Sequence, residues 1–213
     1  MKTEDLVAGL GRSNRPVDRG IVVRSFGIAL VVGIALALCA AIVLLGTRPD
    51  LATARTAVFV AVKLAFSTTV FALSALYLLR LARPGGEYRV SPALMAAPFV
   101  AVVGLAGAVM IMAPTSHWDR MVMGDQWLEC LVSIPIIAVA PFAAVIWAAR
   151  RAAPTDLVRA GAFAGLVAGS ISAMAYALHC TDDSLPFVAV WYGGTIALCT
   201  LAGAMLGPRL LRW

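Results

Sequence analysis

The stretch from Ser25 to Leu45, SFGIALVVGIALALCAAIVLL, contains no charged side chain. A helix needs about 20 mostly apolar residues to cross the hydrocarbon core of a bilayer. Five similar runs follow along the chain: Ala57–Leu79, Pro92–Ala113, Leu128–Ala149, Ala160–Leu178 and Phe187–Leu206. Because the closely spaced alternating strands of a membrane barrel are absent, the sequence predicts an all-α polytopic membrane protein, a bundle of six transmembrane helices.

The overall composition agrees with this fold class. Hydrophobic residues make up 62% of the 213 residues and charged residues only 13%, whereas soluble domains are about a quarter charged. We expect a cytoplasmic N-terminal segment (1–24), a six-helix transmembrane domain (25–207) and a cytoplasmic tail (208–213). This division leaves no room for a soluble catalytic or nucleic-acid-binding domain. No phosphate-binding loop, zinc motif or nucleophile elbow occurs, so the sequence predicts neither an enzyme nor a cofactor.

The distribution of basic residues predicts the orientation. Of the 17 Lys and Arg residues, 13 lie in the N-terminal segment, the second and fourth loops and the tail, and three lie in the other loops. Cytoplasmic loops carry the excess of Lys and Arg in membrane proteins. We therefore expect a multi-pass protein of the bacterial inner membrane with both termini in the cytoplasm and the first, third and fifth loops in the periplasm.

The N-terminal segment itself allows two interpretations. Thr3 is a plausible N-cap, and Leu6, Val7 and Leu10 would share one face of a short helix. Such a helix would bind a partner protein through these three residues. The alternative is a basic leader that only orients the first span.

Lys63 is a charged residue that lies about six residues inside the second predicted span. A charge at that depth is costly unless it reaches the interface or finds a partner. We therefore expect either that Lys63 extends to the outer surface or that it pairs with Glu129 or Asp125, which the predicted topology places on the same side.

Glycines recur at helical spacing in the last two spans. Four-residue steps separate Gly161, Gly165 and Gly169, and the same step separates Gly203 from Gly207. Small residues at this spacing allow close helix contact in membranes. The pattern predicts packing between spans more strongly than a channel.

Two of the four cysteines lie where chemistry is expected. Cys39 and Cys199 fall inside spans, where cysteine usually fills space as a small apolar side chain. Cys130 and Cys180 fall at span ends, and nearly equal lengths of chain separate Cys130 from Arg150 and Arg159 from Cys180. Because the rise per residue of a helix is constant, at about 1.5 Å, both cysteines lie at one depth near the outer rim.

The residues beside these two cysteines suggest a metal or redox site. Glu129 precedes Cys130, and His179, Asp182 and Asp183 surround Cys180. Thiolate, imidazole and carboxylate groups together would bind a soft or borderline metal ion, and two thiols alone would form a disulfide in an oxidising compartment. The alternative is that these are ordinary interfacial residues whose cysteines never meet.

Four segments of the sequence resemble one known family. HCTDDSLPFVAVWYGG (179–194), GPRLLRW (207–213), RLARPGG (80–86) and MKTEDL (1–6) are similar to the NrsF-type family of six-span inner-membrane anti-sigma factors, which act on an extracytoplasmic-function sigma factor. The resemblance implies that two periplasmic-side cysteines, matching Cys130 and Cys180, relieve inhibition under heavy-metal stress.

We therefore expect a membrane-bound anti-sigma factor that releases its sigma factor when these cysteines react with heavy metals or oxidants. The expected partners are an extracytoplasmic-function sigma factor, the lipid bilayer and heavy-metal ions as inducers, with no direct contact to nucleic acid. The alternative function is a small transporter or channel for a metal ion or small solute. Lys63 and the glycine-rich spans favour that alternative, but the middle of the membrane carries no acidic residue and no second buried charge to form a pathway.

Overall fold

The computed structural model describes residues 20–51, 53–82, 93–152 and 154–212, and these residues form helices joined by short connections. The helices are α1 Ile21–Leu44, α2 Ala54–Leu81, α3 Ala93–Met112, α4 Trp118–Met123, α5 Trp127–Arg150, α6 Leu157–Tyr176, α7 Leu185–Phe187 and α8 Gly193–Leu210. A 3₁₀ turn (Thr115–His117) precedes α4, and a π-helical turn (Val188–Tyr192) joins α7 to α8.

The predicted fold class is confirmed. Six helical segments within the described residues are long and apolar enough to cross a membrane, and no strand occurs there. The boundaries differ slightly from those predicted. Helix α1 begins at Ile21, inside the predicted N-terminal segment, and α6 ends at Tyr176, two residues before the predicted end. The last span begins at Leu185, with Pro186 in its first turn, where the missing N–H costs little.

Helix α6 is the centre of the bundle. It packs against α1, α2, α5 and α8, and 67% of its span is buried, compared with 17% for α3. Its sequence is rich in Ala, Gly and Ser. Lipid tails are as apolar as leucine, so helices in a membrane associate through close packing of small residues rather than through hydrophobic burial. Helix α6 therefore has the composition that a central position requires.

The contact between α6 and α8 confirms the glycine pattern. A Cβ atom on Gly165 would overlap the carbonyl oxygen of Cys199 and lie 3.2 Å from the Cα of Gly203. A Cβ on Gly161 would overlap the carbonyl oxygen of Gly203 and lie 2.6 Å from the Cα of Gly207. These obstacles are backbone atoms, which cannot move aside as a side chain can. The glycines therefore set the separation of the two helices.

This contact gives a stability prediction. Gly165→Ala is expected to lower the free energy of unfolding by about 1–3 kcal/mol, because the added methyl group overpacks a rigid contact. The matched control is Gly104→Ala in α3, where a Cβ would meet nothing within 4 Å. That variant should be neutral or slightly stabilising, since alanine favours helix. Thermal unfolding of the purified protein in detergent measures both, and equal stability of the two variants would contradict the packing role.

The alternating helices bring three connections to one end of the bundle. We call this the cysteine end, formed by residues 45–51, 113–126 and 177–184, and we call the last of these the 177–184 connection. The opposite end, the arginine end, carries basic residues in or next to the terminal turns of the helices: Arg80, Arg150, Arg151, Arg159 and Arg209. The two ends of the bundle thus differ in charge in the way that the sequence predicts.

Candidate functional site

The cysteine end contains two buried thiols. Cys130 lies in the first turn of α5, where its N–H donates to the Gln126 carbonyl oxygen at 2.9 Å. Cys180 follows α6, and its N–H donates to the Tyr176 carbonyl oxygen at 3.0 Å. Both side chains are free thiols, fully buried in one apolar cluster that also contains Phe187. The structure therefore brings together the two cysteines that the sequence places at one depth.

Lys63 is buried beside Cys180. Its ammonium donates to the Cys180 carbonyl oxygen at 3.0 Å and to Asp183 Oδ1 at 3.3 Å, and its side chain is 0% exposed. Both expected environments for Lys63 are wrong, since it neither reaches the surface nor pairs with Glu129 or Asp125. Asp183 is the partner because the 177–184 connection folds back over the start of α2.

Arg48 completes this ion network from the first connection. Its guanidinium binds both carboxylate oxygens of Asp50, at 2.7 and 2.8 Å, and both of Asp183, at 2.9 and 3.0 Å. The same group donates to the Cys180 carbonyl oxygen at 2.9 Å. Two cations thus hold one peptide oxygen, and two carboxylates balance their charge. We call Arg48, Asp50, Lys63 and Asp183 the ion network.

Arg48 and Asp50 stay charged at physiological pH. Hydrogen bonding to Arg48 lowers the pKa of Asp50 from 3.8 to about 2, and the hydrogen bonds to Asp50 and Asp183 raise the pKa of Arg48. A carboxyl whose pKa falls on folding stabilises the native state above its ordinary pKa. The Asp50 contribution is therefore complete above pH 3.8 and is lost as the pH falls toward 2. The pair of Arg48 and Asp50 is therefore not a switch near neutral pH.

Asp182 ties the 177–184 connection to the start of α5. Its carboxylate accepts the backbone N–H groups of Asp125, at 3.0 and 3.1 Å, and of Gln126, at 2.7 Å. Gly124 allows this approach, because its φ of +59° favours glycine and a Cβ there would lie 2.6 Å from Asp182 Oδ2. Gln126 Oε1 accepts the N–H of Thr181 at 2.9 Å in return.

Further bonds fix the same connection on both sides. Ser184 Oγ donates to the Met121 carbonyl oxygen at 2.7 Å, and the Arg48 N–H donates to the Leu178 carbonyl oxygen at 3.1 Å. His179 Nδ1 donates to the Gly46 carbonyl oxygen at 3.1 Å. The 177–184 connection is therefore bonded to both other connections of the cysteine end, and Cys180 lies in the middle of it.

His179 and Glu129 form a separate, weaker contact. His179 Nε2 lies 3.8 Å from Glu129 Oε2 and has no hydrogen-bond partner. Glu129 is 47% exposed, whereas His179 is 18% exposed. The sequence predicted both as neighbours of the cysteines, and the structure pairs them with each other at the edge of the cluster.

The predicted set of metal ligands is not assembled in this arrangement. Within the described ranges, no three His, Cys, Asp or Glu side chains are placed to hold a metal ion. Asp183 instead neutralises Lys63 and Arg48, and Asp182 binds backbone N–H groups. The acidic residues that the sequence proposes as ligands therefore hold the connection in place, and only the two thiols of the set share the apolar cluster.

Cys180 is protonated in this arrangement. It lies outside the six candidate spans, yet burial raises the pKa of its thiol above the ordinary value of 9.0, while the nearby charge of Lys63 lowers it. The thiolate is the form that binds metals and reacts with oxidants. Reaction therefore requires that the cluster opens or that the incoming group supplies the positive charge that stabilises the sulfur.

The remaining residues singled out in the sequence are the apolar face of the N-terminal segment and the other two cysteines. Leu6, Val7 and Leu10 lie outside the described residues, so their role as a partner-binding face stays a prediction. Cys199 is buried between α6 and α8, and Cys39 is exposed on α1. Arg48 was missed as a site residue. Its position in a predicted periplasmic loop that is poor in basic residues was the available signal.

The chain matches known proteins over its whole length. The family model described as NrsF, negative regulator of sigma F, matches residues 10–213. A probable anti-sigma-F factor NrsF of Azospira oryzae is 33% identical, with all of both chains covered. The anti-sigma-F factor NrsF of Caulobacter vibrioides is 32% identical over the same full coverage. No solved structure matches.

The family resemblance carried by the four sequence segments is thus confirmed independently of the fold. The match to residues 10–213 includes the first span, the cysteine end and the last residue. Its relatives are regulators rather than catalysts, in agreement with the prediction that the chain is not an enzyme. The chain belongs to the NrsF family of anti-sigma factors, the negative regulators of sigma F.

Proposed function

We propose that this chain is an inner-membrane anti-sigma factor that sequesters an extracytoplasmic-function sigma factor and releases it when Cys130 and Cys180 react with heavy-metal ions or oxidants. The observation that carries this proposal is the position of the two free thiols. Both thiols lie in one buried cluster. Cys180 also lies in the middle of the 177–184 connection, which is bonded to the other two connections of the cysteine end. A change at the sulfur atoms would therefore disturb every connection at that end.

The mechanism is a population shift between two arrangements of the helices. Moving such a balance from 1:99 to 99:1 requires about 5.5 kcal/mol of differential stabilisation. Thiolate ligation releases about 10 kcal/mol or more in structural zinc sites, whereas a disulfide contributes about 2–4 kcal/mol. A bound metal ion would therefore shift the balance completely, and oxidation of the same pair would shift it in part.

Two helices are suited to carry the change to the arginine end. Helix α5 begins next to Cys130 and ends at Arg150, and α2 carries Lys63 and ends beyond Arg80. Both are long and continuous, with 24 residues in α5 and 28 residues in α2. A displacement at the cysteine end would thus move basic residues on the side that we assign to the cytoplasm, where a sigma factor is found.

In the proposed orientation, the ion network and both thiols lie on the periplasmic side. The support for it is the concentration of 13 of the 17 basic residues in the segments assigned to the cytoplasm. Alkaline phosphatase fused after Trp213 should be inactive, because the enzyme requires the periplasm. An active fusion would reverse the assignment.

Sequestration is tested directly by co-purification. The full-length protein, extracted from membranes in detergent, should retain the sigma factor on an affinity column and release it when Cd²⁺ is added. Removal of Cd²⁺ with a chelator should restore binding. A column that retains no sigma factor in the absence of metal would contradict the proposal.

We propose that the N-terminal segment binds the sigma factor through Leu6, Val7 and Leu10. Replacing all three with Ser should free the sigma factor and raise transcription from its promoters to the level of a deletion strain, because the apolar face would be lost. Membrane fractionation provides the control, since the variant should remain in the membrane at the normal level. Unchanged repression would instead place the binding site on the basic loops.

The transporter alternative receives no comparable support. A cavity of about 260 Å³ lies among α5, α6 and α8, and its lining is apolar, with Phe142, Leu198 and Leu206 among the residues. Lys63, which favoured a transport pathway in the sequence, is bound to Asp183 and to a peptide oxygen.

A further inference from the structure

Two tyrosine hydroxyl groups are buried beside the thiols without a hydrogen-bond partner. Tyr176 and Tyr192 are both 0% exposed, and neither Oη atom makes a hydrogen bond of normal geometry. Buried polar groups in proteins are nearly always hydrogen-bonded, because an unpaired one keeps the cost of leaving water. Two such donors in one cluster are available to an acceptor that forms there.

The fold places both tyrosine rings in the same cluster as the two thiols. Tyr176 is the last residue of α6, four residues before Cys180, and Tyr192 ends the π-helical turn. A π turn shifts the helical register by one residue, and such turns are frequent at functional sites. The centroids of the two rings lie 6.0 Å apart, and both tyrosines belong to the apolar cluster that contains Cys130 and Cys180.

The contacts of the two hydroxyl groups differ in detail. The Tyr192 hydroxyl group already contacts the Cys180 thiol, but it forms no hydrogen bond of normal geometry there. Tyr176 lies near both thiols, and its hydroxyl group has no hydrogen-bond partner. A neutral thiol is a weak acceptor, whereas a thiolate accepts strong charge-assisted hydrogen bonds. The hydroxyl groups therefore match the reacted form of the site better than the resting form.

We propose that Tyr176 and Tyr192 are positioning residues that donate hydrogen bonds to the sulfur atoms of Cys130 and Cys180 when these bind a soft divalent cation. This inference rests on the proposed thiol sensor and names the state in which the two hydroxyl groups become paired. Each thiol loses its proton to solvent as the cation binds. One divalent cation and two thiolates have no net charge, so the complex suits an apolar cluster in which the ion network is already balanced.

The test uses Cd²⁺ and the full-length protein in detergent. Cys39 and Cys199 are replaced with Ser so that only Cys130 and Cys180 provide thiols. Tyr192→Phe and Tyr176→Phe are each expected to raise the Cd²⁺ dissociation constant by about 10-fold, since loss of a partner that orients a metal ligand typically costs about 10–100-fold. The matched control is Tyr77→Phe, another buried tyrosine, which packs on Phe163 and is not among the buried residues of this cluster.

Two further measurements separate hydrogen bonding to sulfur from a structural role. The sulfur-to-cadmium charge-transfer band should move to longer wavelength in the Tyr176 and Tyr192 variants, because a hydrogen bond lowers the energy of the sulfur lone pairs. Without Cd²⁺, the same variants should unfold at the wild-type temperature or higher, because Phe removes an unpaired hydroxyl group. A variant that is less stable without Cd²⁺ would assign these hydroxyl groups a structural role and overturn the inference.

The cysteine variants distinguish this inference from the function on which it rests. Should Cys130→Ser and Cys180→Ser abolish Cd²⁺ binding while both Phe variants keep wild-type affinity and an unchanged band, the tyrosine inference is wrong and the thiol sensor stands. Wild-type affinity in the cysteine double variant would refute both.

Discussion

Asp183→Ala is expected to destabilise the protein by about 3–5 kcal/mol, the usual effect of removing one partner from a buried ion pair. Arg48 would keep both bonds to Asp50, but Lys63 would remain fully buried with only the Cys180 carbonyl oxygen as acceptor. The loss therefore arises mainly from one unpaired ammonium. Thermal unfolding in detergent, together with the yield from membranes, measures the effect.

The charges themselves provide the controls for this prediction. Lys63→Met should cost far less than Asp183→Ala, since Asp183 would keep its paired bonds to Arg48. Adding Lys63→Met to Asp183→Ala should restore much of the lost stability, because the unpaired charge is then absent. Arg159→Gln breaks an exposed pair with Asp156 and should change stability by less than about 1 kcal/mol. No rescue in the double variant would show that Lys63 is not the cause.

The second large effect concerns the thiols. Cys130→Ser and Cys180→Ser should each abolish release of the sigma factor by cadmium or chromate, because serine keeps the size of the side chain but neither binds soft metals nor undergoes thiol oxidation. Transcription from a sigma-dependent promoter measures release. Basal repression should persist, since α5 and the 177–184 connection, which carry these residues, are otherwise unchanged.

Cys39→Ser and Cys199→Ser are the matched controls for the thiol prediction. Cys39 is exposed on α1 and Cys199 packs against Gly169, so neither lies in the cluster of the other two cysteines. Both variants should respond as the wild type does. A chelator should reverse the cadmium response and a reductant the chromate response. If the Cys130→Ser, Cys180→Ser double variant still responds fully to cadmium, the thiols are not the sensor.

Together, the ion network and the thiols suggest how the resting state is held. Lys63 and Arg48 fix the carbonyl oxygen of Cys180 while its thiol lies in the apolar cluster. A metal ion that draws the sulfur toward Cys130 would act against these two hydrogen bonds.

The sequence by itself determined the features that depend on local composition. Uninterrupted apolar runs long enough to cross a bilayer have one stable solution there, because every backbone polar group must be satisfied within the segment. The six helices and their order follow from that constraint, and the four-residue spacing of the glycines in the last two spans marked surfaces for close helix packing. Counting along the chain from the charged connections also placed Cys130 and Cys180 at one depth, because the rise per residue of a helix is fixed.

Only the tertiary structure decided which polar groups meet. Lys63 and Asp183 are 120 residues apart in the chain, and no local pattern distinguishes Asp183 from Glu129 or Asp125 as the partner. The choice depends on how the 177–184 connection folds over α2. The unpaired hydroxyl groups of Tyr176 and Tyr192 were likewise invisible in the sequence, because one depends on a π turn and both depend on the packing of several helices around the thiols.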